Sequence, residues 1–162
     1  MIENIQKKYG LYAPQVFDAM KQVPREMFVP NEYREEAYED KPIPIGFGQT
    51  ISQPFTVAFM THLLDLNKKK RVLEIGTGSG YHTAVMALMA KQVYSIELIE
   101  ELALEAEGRL IRLEFNNVSI KVGQGEAGWK DFAPFDAIIA EAEVLQHNKH
   151  TMLKSQCVVF QR

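Results

Sequence analysis

The residues best suited to chemistry in this sequence lie in a glycine-rich loop that follows a short apolar segment. Residues 71–75 read RVLEI, which predicts a strand, and residues 76–80 read GTGSG. Glycines in such a loop let the backbone turn tightly and approach a ligand, and a helix that begins after them aims its free N–H groups at that ligand. The pattern predicts a ligand site, although the same glycines could serve only the packing of a strand against a helix.

The next predicted strand, QVYSIE at residues 92–97, ends in an acidic residue. A carboxylate in this position, Glu97, can accept both hydroxyl groups of a ribose. The dinucleotide pattern G-x-G-x-x-G would need its third glycine at Tyr81, and Glu74 disfavours a pyrophosphate beside the loop. S-adenosylmethionine carries a ribose, an amine and a sulfonium but no phosphate. The sequence therefore favours this cofactor, and a nicotinamide dinucleotide is the weaker alternative.

A third predicted strand, VSIKV at residues 118–122, leads into GQGEAGW. The Gln124 amide can accept a hydrogen bond from an adenine amino group, Glu126 could substitute for it, and a plain turn is the alternative. The predicted cofactor-binding residues are Glu74, Gly76, Thr77, Gly78, Ser79, Gly80, Glu97, Leu98, Gln124, Gly125 and Glu126.

Helices and strands alternate through most of the chain, which predicts an α/β fold with a mostly parallel sheet of about five strands and helices on both faces. Residues 1–53 are predicted to form an N-terminal helical cap and a substrate loop, and residues 54–162 one compact core. Beyond the segments above, strands are predicted at 135–140 and 157–160, helices at 13–23, 54–66, 81–90, 99–113 and 146–153, helical turns at 34–40, and an extended or looped segment at 41–52.

The composition is that of an ordinary soluble globular protein: 46% of the 162 residues are hydrophobic and 24% are charged. The formal net charge of −3 disfavours a nucleic-acid partner. The longest apolar run, residues 84–90, is far shorter than the roughly 20 residues needed to cross a membrane, so no membrane partner is expected. A single cysteine and no recognisable secretion signal predict a cytoplasmic location.

Several motifs occur together and in order: VPREMFVP, AYEDKPIPIGFGQTISQP, VLEIGTGSGY, VYSIE and APFDAII. In this combination the chain resembles the protein-L-isoaspartate O-methyltransferases of the bacterial type over residues 23–139. The segment GQTISQP is the most specific part of the resemblance, because many methyltransferases share the glycine loop.

The resemblance implies a Rossmann-like fold of the S-adenosylmethionine-dependent methyltransferases. It implies transfer of a methyl group to the α-carboxylate of L-isoaspartyl residues in damaged proteins. It assigns catalysis to Ser52 and contact with the substrate peptide to Gln49, Thr50 and Ile51. A carboxylate is already ionised at neutral pH, so this reaction needs no general base. The alternative for Ser52 is an N-terminal cap of the helix that starts at Pro54.

The sequence also departs from the family pattern. Phe47 stands where the family commonly has histidine, and Gln124 replaces an acid. After residue 139 the expected small residues give way to Glu141 and Glu143, which should repel an anionic substrate. These departures leave open a non-catalytic relative that binds the cofactor or a protein partner.

The C-terminal region is expected to be shortened, because about two strands of the family pattern do not follow. The predicted strand at 157–160 would then form an exposed edge through which a homo-oligomer could assemble. The spacing of His147, His150 and the downstream Cys157 resembles that of metal ligands. No acid or second thiol completes such a ligand set, so no metal site is predicted. His82, after the glycine loop, is either a core residue or a cofactor contact.

Overall fold

The computed structural model describes residues 1–141 in full and residues 158–161 as backbone. Its α-helices are α1 (Ile2–Tyr9), α2 (Pro14–Gln22), α3 (Pro54–Leu63), α4 (Tyr81–Met89) and α5 (Glu100–Arg112). Its strands are β1 (Ile43–Gly46), β2 (Gln49–Ile51), β3 (Arg71–Ile75), β4 (Gln92–Glu97), β5 (Val118–Val122), β6 (Ala137–Ala140) and β7 (Val158–Gln161). Short 3-10 helices cover Arg25–Phe28, Asn31–Glu36, Gly125–Ala127 and Lys130–Phe132.

The main sheet has five strands in the order β5-β4-β3-β6-β7. The first four are parallel to one another, and β7 pairs with β6 in the antiparallel direction. The predicted α/β fold with a mostly parallel sheet of about five strands is confirmed. The segment 41–52, predicted as extended or looped, forms the small β1–β2 hairpin, whose turn has positive φ at Gly46, Phe47 and Gly48.

The register of the parallel strands brings their carboxyl ends to one edge of the sheet. Ile75 at the end of β3 lies opposite Ile96 of β4 and Ala140 of β6, and Glu97 lies opposite Val122 of β5. The loops that follow β3, β4, β5 and β6 therefore leave the sheet side by side. In open parallel sheets this edge is where ligands bind.

The two faces of the sheet are packed differently. On one face Val72 and Val93 form a buried cluster with Met86 and Ala90, at the C-terminal end of α4. The opposite face carries a smaller cluster around Leu73, Tyr94 and Ile96, packed against aromatic side chains of the β5–β6 connection. The sequence predicts helices on both faces of the sheet, and α4 packs on the first of these faces. The helix predicted at 146–153 lies outside the described residues.

The N-terminal segment is packed into the largest cluster of buried side chains. Ile5, Phe17 and Phe28 share this cluster with Tyr81 of α4 and Leu110 of α5. The helix α1 is absent from the sequence predictions, since its apolar residues are few and its burial depends on this contact with later elements. The core therefore holds the first 50 residues against the helices that follow β3 and β4.

Three predicted strands, at 71–75, 92–97 and 118–122, have the predicted bounds. The strand predicted at 135–140 begins two residues later, at Ala137. Asp136 instead makes two hydrogen bonds to Arg71, the first residue of β3. Its carboxylate accepts the N–H of Arg71 at 2.7 Å, and its own N–H donates to the Arg71 carbonyl at 2.9 Å. The turns predicted at 34–40 lie at Asn31–Glu36 in 3-10 form. Within the described part of the chain, no helix is both long enough and apolar enough to cross a membrane.

Gly125 offers a test of how tightly the β5–β6 connection lies against the sheet. A Cβ at this position would lie 2.2 Å from Cγ2 of Ile75, a β-branched side chain with little freedom to move away. We expect Gly125→Ala to lower the free energy of unfolding by about 1–3 kcal/mol, the usual cost of overpacking.

The matched control is Gly123→Ala. Its Cβ would meet only the end of the flexible Lys121 side chain, at 3.7 Å. We expect that variant to stay within about 0.5 kcal/mol of the parent in urea denaturation. Equal losses in the two variants would contradict the packing of Gly125 on Ile75.

Candidate active site

The glycine loop after β3 has the tight backbone that its sequence predicts. Gly76, Gly78 and Gly80 have φ angles of 98°, 52° and 85°, in the region that favours glycine. The N–H of Gly76 donates to the Ile96 carbonyl at 2.8 Å, which joins the loop to β4. A Cβ at Gly80 would lie only 3.2 Å from Cβ of Ala106, so this glycine also allows α5 to approach.

Glu97 at the end of β4 is held against this loop. One of its carboxylate oxygens accepts the N–H of Gly78 at 2.8 Å, and the other accepts the N–H of Ile99 at 3.0 Å. Glu97 is nearly fully buried, whereas the following Leu98 is 57% exposed. The structure thus brings together the glycine loop and the acid that the sequence predicts as a ribose ligand.

The side chains of Thr77 and Ser79 stabilise the glycine loop through hydrogen bonds. The Thr77 hydroxyl lies 2.5 Å from that of Ser95, and the Ser79 hydroxyl accepts the N–H of Tyr81 at 3.3 Å. Arg109 of α5 donates to the Ser79 carbonyl at 2.6 Å. These contacts hold the predicted cofactor loop in one shape.

The third predicted cofactor segment lies at the same edge of the sheet. The N–H of Gly123 donates to the Glu97 carbonyl at 2.8 Å, which sets the direction of the chain after β5. Gln124 and Glu126 are both exposed there, and Gly125 between them is half-buried. Their side chains are free to face a ligand beside Glu97.

The β1–β2 hairpin packs close to the glycine loop. Cδ1 of Ile45 lies 3.6 Å from the position that a Cβ on Gly78 would occupy. Along the second strand Gln49 is half-buried, Thr50 is exposed and Ile51 is buried. The predicted substrate segment and the predicted cofactor loop therefore lie together, although they are separated by more than 20 residues of sequence.

Ser52 follows this hairpin and points at the end of β6. Its hydroxyl donates to Oε2 of Glu141 at 2.9 Å. Helix α3 takes Gln53 as its N-cap residue and has no side-chain cap, so the alternative prediction that Ser52 caps this helix is wrong. The hydroxyl is used for a contact with a carboxylate instead.

Glu141 is paired with a histidine on its other side. Its Oε1 contacts Nδ1 of His82, a buried residue in the first turn of α4. Burial opposes the charge on each partner, but their mutual attraction outweighs it, so the pKa of His82 is raised and the pKa of Glu141 is lowered. The predicted repulsion of an anionic substrate assumed an unpaired carboxylate at Glu141, and this pairing compensates that charge. Glu143 lies outside the described residues.

Glu74 lies deeper than its prediction as a cofactor ligand suggests. It is fully buried, and its Oε2 accepts the hydroxyls of Thr83 and Ser95, each at 2.5 Å. Burial raises the pKa of Glu74 to about 7. Its described contacts are all inside the protein, between β3, β4 and α4.

The comparison with known proteins adds an independent finding to this geometry. The family model described as protein-L-isoaspartate(D-aspartate) O-methyltransferase matches residues 1–151. The chain belongs to this family.

Among the curated relatives, the protein-L-isoaspartate O-methyltransferase of Dictyoglomus turgidum is 53% identical over 139 residues. That alignment covers 86% of this chain and 63% of the relative, so the chain spans a little under two thirds of the length of the protein it matches.

Two solved structures have the same fold. One protein-L-isoaspartate O-methyltransferase is 32% identical with a TM-score of 0.75, and the alignment covers 87% of this chain and 48% of that one. The structure of a Plasmodium falciparum protein-L-isoaspartate O-methyltransferase in complex with S-adenosyl-L-homocysteine is 26% identical with a TM-score of 0.73. It is covered to 71%, and this chain to 86%. The predicted Rossmann-like methyltransferase fold is confirmed.

In this member of the protein-L-isoaspartate O-methyltransferase family, the residue that positions the Ser52 backbone is not predicted from the sequence. Arg25 is fully buried, donates from Nε to the Ala37 carbonyl at 2.7 Å and from Nη2 to the Ser52 carbonyl at 2.8 Å, and lies over the Tyr81 ring. It therefore joins the N-terminal segment to the backbone of the predicted catalytic serine. Its only signal in the sequence is a charged pair, Arg25 and Glu26, between apolar residues in VPREMF, which does not reveal the partners of Arg25.

The anchoring role of Arg25 can be tested with Arg25→Lys. Lysine cannot reproduce the two divergent donors, and it leaves a buried carbonyl without a partner. We expect a loss of about 2–3 kcal/mol in the free energy of unfolding, the cost of a buried hydrogen bond to a charged group. The control Arg34→Lys changes an exposed arginine, and chemical denaturation should show almost no effect. Similar stabilities of the two variants would contradict the anchor.

Proposed function

We propose that the chain is a protein-L-isoaspartate O-methyltransferase, which transfers a methyl group from S-adenosylmethionine to the α-carboxylate of isoaspartyl residues in damaged proteins. One observation carries this proposal above the others. The hairpin that leads to Ser52 lies against the glycine loop, so the predicted substrate and cofactor segments lie side by side. Family membership supports the same reaction.

The residues around the glycine loop fit the proposed cofactor. Gly76, Gly78 and Gly80 would accept the methionine portion, because their positive φ angles leave the backbone open to close approach. Glu97 would take the ribose hydroxyls, since its carboxylate lies beside Gly78 and each oxygen keeps a free lone pair. Thr77, Ser79 and Leu98 would complete the wall, and Gln124, Gly125 and Glu126 the adenine side.

The proposed cofactor supplies a methyl group on a positively charged sulfur, which a carboxylate oxygen can accept without a general base. The chain's own task is therefore to bind and orient. The Ser52 hydroxyl, which donates to the Glu141 carboxylate in the structure, is suited to donate to a substrate carboxylate in its place. Gln49 and Thr50 would hold the substrate peptide, and Ile51, whose side chain is buried, would contact it through its backbone.

The proposal also covers the setting in which the protein acts. A single cysteine supports a reducing, cytoplasmic location. The net charge of −3 supports protein rather than nucleic-acid substrates. Strand β7 ends the order of the described sheet, which supports assembly of a homo-oligomer through that edge.

Titration with S-adenosylhomocysteine, followed by methyl transfer to an isoaspartyl peptide, tests the proposal. We expect saturable heat with one site per chain, and methyl ester on the isoaspartyl peptide but not on the same peptide with a normal aspartyl bond. Binding without transfer would support the alternative of a non-catalytic relative that retains the cofactor. The absence of binding would refute the cofactor assignment.

Glu97→Gln tests the proposed ribose contact. Loss of the charge should weaken S-adenosylhomocysteine binding by about 10–100-fold, as expected for one or two hydrogen bonds to a charged group. Glu101→Gln removes an exposed acid from the next helix and should leave the affinity unchanged. Calorimetry on both variants measures the difference, and equal affinities would count against Glu97 as a ligand.

A further inference from the structure

Three ligand-type side chains from distant parts of the sequence meet in the interior, next to the proposed substrate site. They are Glu74 on β3, His82 on α4 and Glu141 after β6, and one ligand atom from each lies within 4.8 Å of the others. Glu74 and His82 are buried, and Glu141 is half-buried. We propose that these three residues bind a divalent transition-metal ion, with Zn²⁺ as the best match. This site does not depend on the proposed methyl transfer.

The hydrogen bonds of His82 decide which of its ring nitrogens faces Glu141 as a ligand. The Thr61 hydroxyl donates its one hydrogen to the Val57 carbonyl, at 2.7 Å. Its oxygen can then only accept from Nε2 of His82, also at 2.7 Å. In the neutral ring Nδ1 therefore carries the lone pair.

This lone pair points at a carboxylate oxygen. Nδ1 of His82 contacts Oε1 of Glu141, and two electron-rich atoms in contact need a positive charge between them. A second proton on the ring would supply that charge between the atoms as they stand, and a metal ion would supply it once the two atoms move apart to the spacing of ligands on one ion. The contact alone therefore admits two occupants.

Glu74 distinguishes the two occupants. Its Oε2 accepts two hydroxyls, but its Oε1 is fully buried and has no hydrogen-bond partner among the described residues. An unpaired carboxylate oxygen in the interior is costly. A proton on His82 leaves this oxygen unpaired, whereas a metal ion beside His82 and Glu141 gives it a ligand bond. This orphaned oxygen is why we favour the metal ion.

The surroundings have the form of a support for metal ligands. Hydroxyl groups hold the outer atom of each ligand: Thr61 on His82, Ser52 on Glu141, and Thr83 with Ser95 on Glu74. Such outer contacts orient ligands in metal sites. Two carboxylates also balance the charge of a dication, so the buried cluster is neutral when it is filled.

The choice of metal follows from the ligand types. Imidazole nitrogen with carboxylate oxygens suits Zn²⁺ and related transition ions, whereas Mg²⁺ and Ca²⁺ prefer oxygen ligands alone. Three protein ligands leave a fourth position of a tetrahedral ion open. Because Glu141 also accepts the Ser52 hydroxyl, an ion bound to Glu141 would change the strength of that hydrogen bond.

The first test uses the parent site in a chain without competing ligands. The variant His62→Gln, His147→Gln, His150→Gln, Cys157→Ser leaves His82 as the only histidine and removes the only cysteine. We expect calorimetry with ZnCl₂ to give one ion per chain. We expect ¹⁵N spectra of the imidazole to show a large shift at Nδ1, while Nε2 keeps its proton. The absence of zinc binding, or zinc binding that leaves the His82 ring unchanged, would overturn the proposal.

The second test changes the two carboxylates in the same background. Glu74→Gln and Glu141→Gln should each weaken zinc binding at least tenfold, and Glu101→Gln, an exposed acid, should not. Circular dichroism checks that each variant is folded, and the ring spectra of the parent decide the matter if one is not. Equal zinc affinities in folded Glu74→Gln, Glu141→Gln and Glu101→Gln would exclude these carboxylates as ligands.

Discussion

The parallel alignment of β3 with β4 and β6 is the constraint on which the site depends. Parallel strands in register end at the same edge, so the segments that follow them lie side by side whatever their separation in sequence. The glycine loop, Glu97 and Glu141 all owe their proximity to this edge. Packing of α4 against the sheet then fixes the direction in which the glycine loop leaves β3.

A second layer of structure depends on buried polar contacts. Arg25 holds the Ser52 backbone, and Glu141 holds the Ser52 side chain, so the N-terminal segment is joined to the sheet at the serine itself. Buried polar groups stabilise little in net terms when they are paired, but they are costly when they are not. Such a set of contacts therefore favours one arrangement of the segment over its near alternatives.

Glu141 connects the two chemical proposals. In the family pattern a small neutral residue is expected in this region, and this chain places a carboxylate there whose charge is balanced by His82. That carboxylate holds the hydroxyl proposed to orient the substrate, and it also completes the proposed metal site. The substrate carboxylate and Glu141 would compete for the Ser52 hydroxyl, so under these proposals the state of the cluster with His82 and Glu74 would set how readily Ser52 is released.

The sequence by itself determined the α/β class, the bounds of three of the parallel strands, the glycine loop and its partner acid Glu97. These follow from local rules, because glycine patterns and strand periodicity are properties of neighbouring residues. The hairpin at 43–51 was visible only as a segment that could not be helical, since its pairing depends on contacts that sequence spacing does not encode.

Only the tertiary structure decided the partners of Arg25, the use of the Ser52 hydroxyl, and the meeting of Glu74, His82 and Glu141. These residues come from separate elements, and no spacing between them is periodic. Their proximity arises when the sheet and the helices pack, and the buried surroundings then determine their hydrogen bonds and charges.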